Sequence, residues 1–205
     1  MDVENLRWWG WGTLDETYSL ERRPNFWPML REWLALPESA IDQATPPVPL
    51  KDISLPPSRF DDPMLSSLRE VLDDEAVRLD KRTRVEHAYG KSYRDLIRIR
   101  AGYVPNPPDA VVYPDGEAKV ASLLSWAAER DVALIPFGGG SSVVGGVEPS
   151  RDREPTITVD LARLGQVLAI DRQSRIARIQ AGATGPEVET QLNEKGLTLG
   201  HFPQS

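Results

Sequence analysis

The chain has 205 residues, 40% of them hydrophobic and 27% charged, which suits one soluble domain, or a small domain plus an arm, and is too short for two complete domains. A formal net charge of −7 argues against a nucleic-acid partner, because duplex binding relies on clustered Lys and Arg to neutralise phosphates. The absence of cysteine excludes disulfides, thiolate metal sites and cysteine nucleophiles, and with only His87 and His201 a histidine-rich metal site is not expected.

The start, Met-Asp-Val-Glu-Asn-Leu-Arg-Trp-Trp, has neither the basic beginning nor the apolar core of a secretory signal. No stretch approaches the roughly 20 apolar residues of a membrane span. A cytoplasmic protein without a transmembrane segment is the expectation. Trp8-Trp9-Gly10-Trp11-Gly12 is a dense aromatic cluster, followed by Phe26, Trp27 and Trp33. Such large faces cost solubility in water, so docking against another part of the protein is expected ahead of a ligand-stacking role. Pro37, Pro46, Pro47, Pro49, Pro56, Pro57 and Pro63 then crowd a tract whose restricted backbone predicts an extended segment wrapped over a surface.

Residues 61–79 and 85–100 carry helical apolar spacing, as in Leu65, Leu68, Val71 and Leu72. The basic run from Arg94 through Arg98 to Arg100 reads as the solvated face of the second helix. Residues 1–107 therefore read as an extended helical arm, made of a Trp-rich segment, a Pro-rich spacer and helices, with its boundary at Pro105 to Pro108.

From residue 108 the pattern changes to that of an α+β domain. Ala110-Val111-Val112-Tyr113 is a short buried-strand run, and Pro114-Asp115-Gly116 turns the chain, with Asp115 placed to cap a helix. Val120, Leu123, Leu124, Ala127 and Ala128 fall on one helical stripe, and the helix should end near Arg130. Val132-Ala133-Leu134-Ile135 follows at once. Strand, helix and strand with short connections predict a βαβ unit with parallel strands.

The second strand runs into Pro136-Phe137-Gly138-Gly139-Gly140-Ser141-Ser142-Val143-Val144-Gly145-Gly146. Consecutive glycines let backbone amides converge on an anion, and the serines add hydroxyl donors without bulk. The loop matches neither a P-loop nor a convincing G-x-G-x-x-G fingerprint, so alone it reads either as a phosphate cradle or as a flexible turn. Thr156-Ile157-Thr158-Val159-Asp160 predicts a third strand, and residues 166–170 and 175–180 predict a hairpin around the turn 171–174. Thr184-Gly185-Pro186-Glu187 has capping-box spacing, Val188 and Leu192 lie one turn apart, and Gly196 suits a left-handed helix end.

Four motifs together carry a resemblance: Pro108-Asp109-Ala110-Val111-Val112-Tyr113-Pro114, the loop from Ile135 to Ser142, Ala181-Gly182-Ala183-Thr184-Gly185, and Gly200-His201-Phe202-Pro203-Gln204-Ser205. Residues 108–205 resemble the N-terminal part of the FAD-binding domain of the vanillyl-alcohol oxidase/p-cresol methylhydroxylase (PCMH/VAO-type) superfamily. Within it, Trp8-Trp9-Gly10-Trp11-Gly12 and the segment from Arg84-Val85 to Arg100-Ala101-Gly102 resemble the alkyldihydroxyacetonephosphate (alkylglycerone-phosphate) synthase family and its bacterial FAD-linked oxidase relatives.

The resemblance implies that Pro136, Phe137, Gly138, Gly139, Gly140, Ser141 and Ser142 hold the FAD pyrophosphate, and that Gln204 and Ser205 begin a second flavin-contacting segment. Some members of the superfamily attach FAD through a histidine in or beside the loop. Here Gly140 and Ser141 stand there, so non-covalent FAD is implied. His201 is expected to be a buried, hydrogen-bonded structural histidine rather than a flavin contact. For an intact relative the resemblance implies a small-molecule or lipid-like substrate and a homodimer. The chemistry implied is either exchange of an acyl chain for a fatty alcohol in ether-lipid synthesis, without net redox change, or oxidation of a 2-hydroxy acid. It also implies a chain truncated within the flavin domain and lacking the catalytic cap, so no catalytic residue is assigned. Two alternatives stay open: an inert or partner-dependent flavin-binding fragment, and a domain whose βαβ unit binds a sugar phosphate instead.

Overall fold

The structure, a computed structural model, describes residues 7–16, 19–40, 45–150 and 155–202. Among them the helices are α1 (Phe26–Leu34), α2 (Asp62–Leu72), α3 (Lys81–Glu86), α4 (Tyr93–Arg100), α5 (Glu117–Glu129) and α6 (Gly185–Asn193). The strands are β1 (Val77–Arg78), β2 (Ala110–Val112), β3 (Ala133–Phe137), β4 (Thr156–Asp160), β5 (Val167–Asp171) and β6 (Ile176–Ile179). β1 to β4 form one sheet in the order β1-β2-β4-β3, and β5 and β6 form a separate hairpin. This is the expected α+β architecture.

β2, β4 and β3 run parallel, as the strand–helix–strand pattern predicts, but β2 and β3 are not neighbours. The third strand lies between them, and every residue of Thr156-Ile157-Thr158-Val159-Asp160 is buried. A strand hydrogen-bonded on both sides and covered on both faces is where such a run is most stable. Ile157 and Val159 join a core with Phe60, Leu68, Leu72, Leu123, Trp126 and Ala127, built where α2 and α5 pack on the sheet.

The buried stripe of α5 differs from the expected one. Leu123, Trp126 and Ala127 are buried, whereas Leu124 and Ala128 are exposed. The helix is turned toward Trp126, which packs edge-on against Phe60 and donates its indole N–H to Ser67 Oγ at 3.0 Å. Asp115 does not cap this helix. Gly116 occupies the N-cap without a side-chain bond, and Asp115 pairs with Lys119 at 3.0 Å instead.

The arm contains two breaks that the helical spacing hid. α2, capped by Asp61 Oδ1 accepting from Met64 N–H at 2.9 Å, stops at Leu72, and Asp73 takes a positive φ of 73°. Residues 77–78 then become the edge strand β1, antiparallel to β2. The second predicted helix is likewise two helices, α3 and α4, with residues 87–92 between them. Ser92 and Asp95 form a reciprocal capping box that starts α4 afresh.

A second core, Trp8, Ile53, Val85, Ala88, Tyr89, Ile99 and Val104, lies wholly within the arm and holds its segments together. The proline tract wraps as expected: Val48 N–H donates to the Arg100 carbonyl at 2.8 Å, and the buried Arg84 donates to the carbonyls of Pro108 and Pro56 at 2.7 and 3.1 Å. Docking of the aromatic cluster is only partial. Trp8 is buried, but Trp11 and Trp27 are 47% and 40% exposed and Trp33 is 75% exposed, and α1 has no buried residue. The β5–β6 hairpin and α6 follow the predicted pattern, with a Thr184–Glu187 capping box, buried Val188 and Leu192, and Gly196 at φ 69°.

Candidate functional site

The glycine loop leaves the C-terminal end of β3, where Phe137 is in register with Asp160 of the parallel neighbour β4. That end of a parallel sheet is where open α/β sheets take their ligands, because the strand ends and following loops leave a crevice of free backbone groups. Pro136, Gly138, Gly139 and Ser141 are exposed, Ser142 is half-buried, and Phe137 and Gly140 are buried. Among the described residues, the amides of Gly138, Gly139, Gly140 and Ser141 donate to no protein acceptor.

A Cβ at Gly138 or Gly139 would meet nothing within 4 Å, so this surface is open and the amides are unscreened by side chains. At Gly140 the φ of 63° disfavours any side chain, and a Cβ would stand 2.4 Å from Phe137 Cζ. Ser142 Oγ accepts from Gly146 N–H at 3.2 Å and closes the loop, leaving Val143 and Val144 in solvent. Adjacent amides and a serine hydroxyl with no carboxylate among them are a donor set that fits a pyrophosphate.

Three supports hold the loop. From within, the Phe137 ring packs between Gly140 and the His87 ring, the two ring centroids 4.4 Å apart. His87 is buried. Its Nδ1 faces the Thr83 carbonyl at 2.8 Å and its Nε2 the Asp160 carboxylate at 2.9 Å, so both ring nitrogens are engaged. The other oxygen of Asp160 accepts from Ala162 N–H at 2.8 Å, and the Phe137 carbonyl accepts from Leu161 N–H at 3.0 Å.

From the arm, Lys91 N–H donates to the Ser142 carbonyl at 2.7 Å, and the Lys91 ammonium donates to the Gly10 carbonyl at 3.1 Å, so the Trp segment is tied to the same point. Burial pulls the Lys91 ammonium below its usual range, with Glu86 opposing.

The third support is Arg98. Its guanidinium makes a bidentate pair with Glu148 at 2.8 and 2.8 Å, also bonds Asp95, and lies 4.3 Å from the Tyr89 ring centroid. Hydrogen bonding to Glu148 holds Arg98 firmly protonated, and burial pushes the Tyr89 phenol up to about 12. Glu148 follows the loop directly. Thus the basic run is not simply a solvated face: Arg94 and Arg100 are exposed, but Arg98 fastens the far end of the loop.

Asp109, in the Pro108-Asp109 opening, is an anchor at the N-terminal ends of β2 and β4, whereas the loop leaves the C-terminal end of β3. It accepts from the Arg59 side chain and backbone N–H and from Thr156 N–H at 2.8 Å. A cavity lined by Pro56, Pro57, Arg59, Arg84, Asp109 and Pro149 sits beside it and does not include the loop. The expectation for His201 is corrected: it is exposed, in a stretch that packs only lightly. Gln204 and Ser205 lie outside the described residues. No group of three or more His, Asp or Glu that could hold a metal occurs among the described residues, and no described helix is long and apolar enough to cross a membrane. Sequence reasoning missed His87, Gly90 and Lys91. The one available signal was Gly90, a glycine inside the stretch read as a single helix.

Residues 108–205 match a family described as an FAD binding domain. Alkyldihydroxyacetonephosphate synthase of Trypanosoma brucei brucei is 34% identical over 219 residues, covering 98% of this chain and 36% of that protein. A solved alkyldihydroxyacetonephosphate synthase structure superposes with a TM-score of 0.84 at 33% identity, covering 99% of this chain and 40% of that one. p-Cresol methylhydroxylase with substrate bound matches at a TM-score of 0.50 and 14% identity over 69% of this chain and 27% of that one, a likeness of fold alone. The chain thus spans little more than a third of the relatives it resembles over its whole length. Residues 108–205 belong to the FAD binding domain family, within a chain homologous to the corresponding part of alkyldihydroxyacetonephosphate synthase.

Proposed function

We propose that residues 136–142 hold the pyrophosphate of FAD through the amides of Gly138 to Ser141 and the serine hydroxyls, without a covalent bond to the flavin. The observation that carries this reading is the row of amides at the end of β3, which donate to no acceptor among the described residues and are unscreened by side chains at Gly138 and Gly139. Non-covalent binding is supported by the lack of a histidine in the loop and by His87, which is buried with both nitrogens engaged. When bound, FAD supplies an isoalloxazine ring that accepts and returns electrons, while the protein orients it.

The reading extends to an activity like that of alkyldihydroxyacetonephosphate synthase, on a lipid-like substrate, in a cytoplasmic flavoenzyme. What favours it over a general FAD-linked oxidase is that the likeness runs through the arm, residues 1–107, as well as the flavin domain, residues 108–205. Titration of the chain with FAD, followed by flavin fluorescence and tryptophan quenching, tests the binding. Saturable binding that Gly139→Asp abolishes supports the proposal, and equal binding by both proteins overturns it.

A further inference from the structure

The glycine loop starts from β3, which β4 holds in register, but beyond its free amides it is fixed at two points by the arm. Before the tip, Ser142 accepts from Lys91 N–H and abuts Gly90, where a Cβ would stand 2.0 Å from the Ser142 carbonyl oxygen. After the tip, Glu148 is held by the guanidinium of Arg98. Between these points Ser142 to Val147 form a closed turn with Gly145 at φ 78°. A loop rich in glycine has high conformational freedom, so amides aimed at an anion must be held there by something outside the loop.

We infer that Arg98 is a positioning residue for the cofactor: through Glu148 it fixes the free-amide conformation of residues 138–142, making the arm a working part of the flavin site. The geometry suits that task. Arg98 forks onto Glu148, is oriented by Asp95 on its own helix, and sits 4.3 Å over the ring of Tyr89, whose hydroxyl donates to the Tyr103 carbonyl at 2.7 Å. A fork held at several points transmits orientation, as a flexible ammonium would not. The inference rests on the assignment of FAD to this loop.

The test uses the whole chain and two variants, Arg98→Gln and Glu148→Gln, so that misfolding of one leaves the other to report. Hydrogen exchange of residues 138–146 should accelerate about fivefold in both while β4 exchanges as in the parent. FAD should bind about tenfold more weakly, and Arg98→Lys, which keeps the charge but not the fork, should recover little of the loss. Unchanged loop exchange, or loop and β4 accelerating together, would overturn the positioning role. So would a loosened loop that binds FAD with undiminished affinity. Gly139→Asp separates the two ideas: if it leaves FAD binding intact, the pyrophosphate assignment fails, whereas exchange in the Arg98 and Glu148 variants still judges the anchoring.

Discussion

Gly90 and Ser142 meet backbone to backbone: a methyl group on residue 90 would lie 2.0 Å from the Ser142 carbonyl oxygen, which already accepts from Lys91 N–H at 2.7 Å. Neither partner is the tip of a flexible side chain, so relief requires moving the loop or residues 87–92. Gly90→Ala should therefore destabilise the chain by about 1–3 kcal/mol, as overpacking typically does, and should weaken FAD binding as well. Urea denaturation and FAD titration of the same variant check both. A variant as stable as the parent, binding FAD equally, contradicts the contact.

Phe137 fills the space between Gly140 and His87, so its loss removes the floor of the loop. Phe137→Ala is expected to cost about 3 kcal/mol, the lower part of the range for buried aromatic truncations, since the ring lies near the surface. Phe137→Leu should recover much of the stability but less of the FAD affinity. Thermal unfolding and FAD titration on the two variants measure that split.

Asp109 gives stability a dependence on pH. Burial alone would raise its pKa, but hydrogen bonds from the Arg59 side chain, Thr156 N–H and Arg59 N–H outweigh it and hold the carboxyl below the usual carboxylate range. A group whose folded pKa is depressed contributes fully above its unfolded value, and the contribution fades as pH falls through the folded one. Asp109→Asn should cost about 1–2 kcal/mol at pH 7, discounted because the Arg59 side chain is 46% exposed, and the difference from the parent should shrink toward pH 3. Denaturation midpoints at a series of pH values test this, and parallel curves would refute it.

The arm's tryptophans divide sharply. Trp8 is 8% exposed within the second core, whereas Trp33 is 75% exposed. Trp8→Ala should lose about 3 kcal/mol and Trp33→Ala less than about 0.5 kcal/mol in the isolated chain. Unfolding free energies of the two proteins decide it, and equal losses would mean that α1 packs more tightly than it does here.

Legibility in the sequence followed the range of the interactions involved. The loop, the hairpin and α6 were readable because glycine runs, alternation and capping boxes are local signals. The position of β4 between β2 and β3 was not, since periodicity reports burial but not neighbours. Residues 77–78 were absorbed into a helical reading because a strand so short has no period of its own, and its pairing with β2 is purely tertiary. Arg98 looked like one cation in a basic run; only the fold brings Glu148 to it. His87 carried no signal at all, because its partners Asp160 and Phe137 arrive from other strands. Leu124 and Trp126 exchanged their expected places because the stripe was drawn from aliphatic spacing alone.

The central claim is that the loop at the end of β3 grips the pyrophosphate, and calorimetric titration with FAD and with riboflavin, which lacks phosphate, tests it most directly. Residue 139 is open to solvent and has no neighbour within 4 Å of a Cβ, so Gly139→Asp changes the charge at the loop without disturbing its packing. The account predicts saturable FAD binding by the parent chain, riboflavin binding weaker by at least about a hundredfold, and loss of FAD binding in Gly139→Asp with its unfolding curve unchanged. FAD and riboflavin binding alike, or FAD binding undiminished by the new carboxylate, would contradict it.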